Sequence, residues 1–279
     1  MSKLLWREKQ ADEDDCMRPS KIKAKLRRNE PVLLTTLHFI DPSLYELTSL
    51  MGFDGIWLDL EHHGTALETA MTLMRAARVG SADVMVRPAR GEFMRMGRIL
   101  EAGAQGILYP RCANAAEARE VVAWSRFAPL GRRGLDGANA DMPYCSMPVA
   151  EYVRAANEQT FLAIQIEDRD AVADARTIAE VEGVDALFFG PADFTVLSGI
   201  PGQFDHPHVQ EAMRSIADAA RRAGKHWGMP SGSPEQTRQL LDMGARFLCH
   251  GADILMVKAG LEEIQRRFAP LGFTFDNRL

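Results

Sequence analysis

From Val32 onward, short apolar runs rich in β-prone residues alternate with stretches whose apolar residues recur every three or four positions. The first pattern reads as strand and the second as amphipathic helix. Strands are predicted over 32–36, 55–60, 83–87, 106–109, 161–166, 186–189, 226–229 and 247–250. Helices are predicted over 42–51, 66–79, 93–101, 115–125, 171–181, 207–223, 234–243 and 254–268. The punctuation agrees. Asp41-Pro42 and Ser233-Pro234 pair a capping side chain with proline at the first helical position. Asn114 with Glu117, and Thr65 with Glu68, have the spacing of capping boxes. Gly52, Gly103, Gly183, Gly224 and Gly244 follow five of the helices, where the chain needs a left-handed residue.

Eight strands each followed by a helix is the count of a closed (β/α)8 TIM barrel. A doubly wound sheet usually has a glycine-rich loop after its first strand, and Leu37-His38-Phe39-Ile40-Asp41 has none. The expected organisation is an N-terminal extension over 1–18, aperiodic and read as a flexible arm, followed by a single barrel over 19–279. Residues 20–28 place five basic residues around Ile22 and Leu26, the pattern of a short helix with a solvated basic face. One segment breaks the rhythm. Residues 126–147 carry Pro129, Gly131, Gly134, Gly137 and Pro143, and read as a functional, interface or disordered loop with little to offer a core.

Composition narrows the field. The chain has 279 residues, 46% of them hydrophobic and 25% charged, which suffices for a sizeable core. A net charge of −5 gives no electrostatic reason to expect nucleic acid or an anionic membrane as partner. Cys16, Cys112, Cys145 and Cys249 form no C-x-x-C pair, so neither a zinc knuckle nor a disulfide framework is indicated. Leu4-Leu5-Trp6 is too short an apolar run for a secretion signal, and no run reaches membrane-spanning length. A cytoplasmic, reducing setting is the expectation.

Barrel chemistry gathers at the C-terminal ends of strands. Ile56-Trp57-Leu58-Asp59-Leu60-Glu61-His62-His63-Gly64 starts as a buried strand and ends in two carboxylates and two imidazoles. Strand three ends in Arg87, strand five in Gln165 and Glu167, and strand six in Gly190-Pro191-Ala192-Asp193. Glu167 and Asp193, on adjacent strands, suit a shared divalent cation that leaves other positions to water and substrate. Taken singly, each acid reads more readily as a solvated loop residue, and it is the pairing across adjacent strands that favours the functional reading. The backbone N–H groups of the 190–193 turn suit a substrate carboxylate. Arg87 can donate to a carbonyl or enolate oxygen, or simply pair with a neighbouring acid. Asp59 with His62 reads as an acid-oriented imidazole; His63 and His250 read as bystanders, and His38 and His226 as structural. None of the seven lysines ends a strand, which argues against Schiff-base chemistry.

These motifs together resemble the HpcH/HpaI class II pyruvate aldolases. They are Gly52-Phe53-Asp54 leading to Asp59-x-Glu61-His62, Val86-Arg87-Pro88, Gly103-Ala104-Gln105-Gly106, Pro129-x-Gly131-x-Arg133-Gly134, Gln165-x-Glu167 and Gly190-Pro191-Ala192-Asp193, continued by Gly199-x-Pro201-Gly202 and His206-Pro207. The resemblance runs from about residue 20 to 268. It implies a metal-dependent lyase that cleaves 4-hydroxy-2-oxo acids to pyruvate and an aldehyde through a pyruvate enolate. It implies Mg²⁺, Mn²⁺ or Co²⁺ on Glu167 and Asp193, enolate stabilisation by Arg87, and proton relay by His62 oriented by Asp59. Substrate contacts are implied at Arg87, Gln165, Gly190, Pro191, Ala192 and Asp193. A homo-oligomer, trimer or hexamer, with the last helix swapped between barrels is implied as well. Three departures touch the aldehyde side or the proton relay: Leu100-Glu101-Ala102 where Leu-Asp is usual, Pro230-Ser231 after strand seven, and the doubled His62-His63. Glu101 stands where an acid is thought to reach a neighbouring subunit's site. The competing readings are a CoA-ester lyase of the citrate-lyase-like type and a non-catalytic barrel that binds a 2-oxo acid.

Overall fold

A computed structural model describes residues 17–279. Eight parallel strands close in sequential order, β1-β2-β3-β4-β5-β6-β7-β8, with β8 pairing back onto β1. They are β1 Val32–Leu37, β2 Gly55–Asp59, β3 Asp83–Arg87, β4 Gly106–Tyr109, β5 Phe161–Ile166, β6 Ala186–Phe189, β7 His226–Pro230 and β8 Phe247–Ala252. The helices are α1 Lys21–Arg27, α2 Pro42–Leu50, α3 Leu67–Ala77, α4 Phe93–Glu101, α5 Ala115–Ser125, α6 Val149–Gln159, α7 Arg169–Ala173, α8 Ala175–Ala179, α9 Pro191–Leu197, α10 Pro207–Arg222, α11 Pro234–Asp242 and α12 Asp253–Phe268. The TIM barrel expected from the periodicity is therefore the fold. The arm expected over 1–18 lies outside the described residues except for Met17 and Arg18.

Strand alternation sorts the side chains into two cores. Leu34, Trp57, Met85, Phe161, Phe188 and Phe247 fill the barrel interior. Ile56, Leu58, Val84, Val86, Ile164 and Ile166 face outward against the helices. Helix α1 closes the bottom of the barrel, lowering Ile22 and Leu26 onto the interior core.

Of the basic face of α1 expected to be solvated, Arg27 and Arg28 are exposed, but the three lysines are not free in solvent. Carboxylates standing at the N-terminal ends of β2, β3 and β6 grip the helix. Lys25 Nζ lies 2.7 Å from Asp54 and Lys23 Nζ 2.6 Å from Asp185. Asp83, fully buried, accepts from Ser20 Oγ at 2.6 Å and from the Ile22 amide at 2.8 Å.

Several local expectations also change. Helix α6 was not predicted, and the helix expected over 171–181 divides at Asp174 into α7 and α8. Helix α3 begins after Ala66 with no side-chain cap, so the Thr65–Glu68 box does not form. The 126–147 segment holds a satellite core after all: Phe127, Met142 and Met147 pack with Tyr152 and Met17. Arg126 pins it to Thr160 and Asp185, and Arg133 is buried against Asp141 at 2.7 Å. Two buried arginines give this glycine-rich loop its place.

Helix α12 leaves the barrel. Of its sixteen residues only Asp253 is buried, while Leu255, Val257, Leu261 and Ile264 are exposed. Leu33, on the outer face of β1 where a last helix would lie, is 40% exposed.

Candidate active site

The strand ends expected to carry chemistry converge on one cup. Asp59 and Arg87 are register partners across β2 and β3, and this adjacency makes their side chains meet. Arg87 Nε donates to Asp59 Oδ1 at 2.9 Å and Nη2 to Oδ2 at 2.7 Å, the paired geometry that suits a planar guanidinium. Nε also lies 3.2 Å from Glu61 Oε2, and the guanidinium sits 4.7 Å from the centre of the Trp57 ring. Burial works to raise the Asp59 carboxyl, but the hydrogen bonds and charge of Arg87 hold it below the usual carboxylate range. Glu61 moves the other way: burial raises it, with Asp59 and Asp193 adding to the push against Arg87 and His62.

Across the cup, Glu167 is buried just past β5. It accepts from the Gln165 side-chain amide and, at 2.9 Å, from the Arg111 backbone N–H. Arg111 holds φ at 48°, an uncommon setting for a side-chain-bearing residue, and this aims its N–H at the carboxylate. Burial and the nearby charge of Asp193 push Glu167 up to about 8. Gly190 must be glycine because a Cβ there would overlap the Glu167 carboxylate and the Gln165 amide. Asp193 sits half-buried in the first turn of α9, whose first residue is Pro191.

No cluster of three or more His, Cys, Asp or Glu suited to a metal ion exists among the described residues. The donor set nevertheless fits a magnesium-like ion, which takes one or two carboxylates and fills its shell from water and substrate. Two features carry the fit. Burial and the charge of Asp193 together push the Glu167 carboxyl up, and Gln165 Oε1 is buried with no hydrogen-bond partner. A cation relieves both.

The imidazoles are not arranged as the sequence suggested. The ring beside Asp59 is His63, with Nε2 3.8 Å from Oδ2, whereas His62 lies 3.6 Å from Glu61 and its side chain is 58% exposed. Glu101 stands at the end of α4, and burial together with Asp141 and Asp136 of its own chain's 126–147 segment raises it against the pull of Arg133. Sequence reasoning passed over Trp57 beneath Arg87, the Arg111 N–H, and the buried Asp253 at the start of α12. The inward phase of β2 was the available signal for Trp57; nothing in sequence spacing marks the other two.

A closed barrel with opposed acids and a paired arginine at its C-terminal rim is the layout of a barrel enzyme. The HpcH/HpaI aldolase/citrate lyase family model matches residues 37–259, and the chain belongs to that family, which makes it a carbon–carbon lyase. It is 34% identical over 249 residues to a hydroxypyruvate/pyruvate aldolase of Pseudomonas aeruginosa, covering 89% of this chain and 92% of the relative. It is 32% identical over 246 residues to a 4-hydroxy-2-oxo-heptane-1,7-dioate aldolase of Salmonella typhimurium, covering 88% and 93%. The crystal structure of an HpcH/HpaI aldolase from Desulfitobacterium hafniense superposes with a TM-score of 0.81 at 30% identity, covering 87% of this chain and 96% of that one.

Proposed function

We propose that this lyase cleaves 4-hydroxy-2-oxo acids reversibly to pyruvate and an aldehyde, with a divalent cation such as Mg²⁺, Mn²⁺ or Co²⁺ held by Glu167 and Asp193. The observation that carries the reading is the pair of acids at adjacent strand ends, buried Glu167 past β5 and half-buried Asp193 past β6, on the same rim as Arg87 at the end of β3. A cation bound there supplies an electron sink for charge on the keto oxygen. The protein's own groups do the rest. Arg87, fixed by Asp59 through Nε and Nη2, has Nη1 without a hydrogen bond among the described residues, so it remains available to an enolate oxygen. Gln165 and the turn at Gly190, Pro191, Ala192 and Asp193 position the oxo-acid end. The imidazoles at the end of β2 would take the C4 hydroxyl proton as the C3–C4 bond breaks and return a proton to C3 of the enolate.

The exposed apolar face of α12 and the uncovered Leu33 support a homo-oligomer in which this helix covers a neighbouring barrel. No helix among the described residues is long and apolar enough to cross a membrane. The test is a screen of 4-hydroxy-2-oxo acids with each cation, following pyruvate release. Full activity after removal of all divalent cations would overturn the cation's role. Turnover of a CoA ester with no cleavage of any free 4-hydroxy-2-oxo acid would replace the substrate class.

A further inference from the structure

Glu117, in the first turn of α5, is not among the acids of the cup, yet four hydrogen bonds converge on its carboxylate. Oε1 accepts from the Tyr109 hydroxyl at 2.8 Å and from Arg90 Nε at 2.9 Å. Oε2 accepts from Arg90 Nη2 at 2.9 Å and from the Ala113 backbone N–H at 2.8 Å. The Tyr109 hydroxyl accepts in turn from the Gly91 N–H at 3.0 Å. One carboxylate therefore fastens the connection after β3, through Arg90 and Gly91, to the turn after β4, through Ala113. Burial works to raise the Glu117 carboxyl, but these donors hold it below the usual carboxylate range, so it stays ionised and acts only as acceptor.

The turn so fastened, residues 110–114, meets the cup through its backbone. The Arg111 N–H donates to Glu167 Oε2 at 2.9 Å, and the Cys112 N–H to the Gln165 backbone carbonyl at 3.3 Å. Among the described residues Glu167 receives two hydrogen bonds, from the Gln165 side-chain amide on Oε1 and from the Arg111 N–H on Oε2. Arg111 holds φ at 48°, and such a setting in a side-chain-bearing residue persists only where its surroundings over-determine it. Those surroundings are Tyr109, two residues before Arg111, and Ala113, two residues after, and both end on Glu117. Resting on the functional reading above, we propose that Glu117 is a positioning residue of the cation site: it holds the β4–α5 turn in the conformation that presents the Arg111 N–H to Glu167. Without that hold Arg111 relaxes to negative φ, its N–H turns from the carboxylate, and Glu167 keeps only Gln165 to orient it. The cation then meets a ligand that must be ordered on binding, which weakens its affinity and leaves the substrate contacts in place.

Glu117→Gln keeps the shape of the side chain and sets an NH2 group among its donors. In the cation-free protein, hydrogen exchange followed by NMR reads the Arg111 amide directly; it speeds up roughly tenfold in the variant, while the strand amides of β4 and β5 keep their rates. Mn²⁺ affinity, read from the electron paramagnetic resonance signal of the free ion, weakens by about tenfold, as loss of a group that holds a metal ligand in place does. At saturating Mn²⁺ the KM for the oxo acid stays within about twofold. Arg90→Gln is the comparison. It removes the half-exposed partner and leaves Tyr109 and Ala113 on the carboxylate, so exchange and affinity move by less than about threefold. A lower melting temperature in Glu117→Gln with either Mn²⁺ affinity or Arg111 exchange unchanged overturns the proposal and leaves Glu117 as a brace of α5 alone. A loss in Arg90→Gln equal to that in Glu117→Gln overturns it as well. If Glu117→Gln does not fold, Tyr109→Phe, which removes a single hydroxyl, must show the faster Arg111 exchange, and the wild-type rate there refutes the hold. If the wild type binds no Mn²⁺, the cation reading fails, while the Arg111 exchange still accepts or rejects the hold of Glu117 on the turn.

Discussion

Replacing Glu167 with glutamine in the cation-free protein will stabilise the fold at neutral pH, although it removes a site residue. In the native chain burial and Asp193 carry this carboxyl from its ordinary 4.5 up to about 8. The native state therefore binds a proton that the unfolded chain releases above pH 4.5. The stability this group contributes is fully present below that value and falls as pH rises towards 8. Each step of one pH between the two limits costs about 1.4 kcal/mol, so by pH 7 the loss is roughly 3 kcal/mol. Glutamine has no charge to suppress. It can accept from the Arg111 N–H, and Gln165 can turn its amide to offer the Oε1 that lacks a partner. Urea unfolding of EDTA-treated protein should show variant and wild type nearly equal at pH 5. The variant should lead by about 3 kcal/mol at pH 7. Added Mn²⁺ should stabilise only the wild type. A difference that stays flat from pH 5 to 8 would mean that Glu167 ionises normally, and the electrostatic argument for the cation site would fail with it.

Gly190→Ala should weaken Mn²⁺ binding by on the order of 100-fold, because the new Cβ displaces the Glu167 carboxylate; an unchanged affinity by calorimetry would show that the turn yields. Arg87→Lys keeps the charge but loses the two-pronged hold on Asp59, and kcat should drop roughly 100-fold, with circular dichroism reporting a retained fold. Ser20→Ala removes both the cap of α1 and a hydrogen bond to buried Asp83, and unfolding should become easier by about 1–3 kcal/mol. Leu261→Glu places a charge on the apolar face of α12 and should shift the protein to smaller species in size-exclusion chromatography; an unchanged profile would count against that face as an interface.

Much of the barrel was legible because its causes are local. A strand buried on both sides must be apolar throughout, and a helix over a sheet must repeat near 3.6 residues. All eight strands were therefore visible, and the capping chemistry of Asp41, Asn114 and Ser233 appears as read. Segments whose order comes from distant partners were not legible. Helix α6 and the 126–147 segment are organised by Arg126 and Arg133, whose partners are distant in sequence or set by an irregular loop. The lysines of α1 looked solvated because Asp54 and Asp185 lie far along the chain.

By itself the sequence determined the strand count, the order of the elements and which strands deliver Asp59, Arg87, Glu167 and Asp193 to one rim, since period and parity need no knowledge of neighbours. Only the tertiary structure decided who faces whom. Register sets Asp59 against Arg87, and the left-handed backbone at Arg111 sets its N–H against Glu167, fifty-six positions further along the chain. Pairing at angstrom range depends on backbone placement across strands, and no spacing along the chain encodes that.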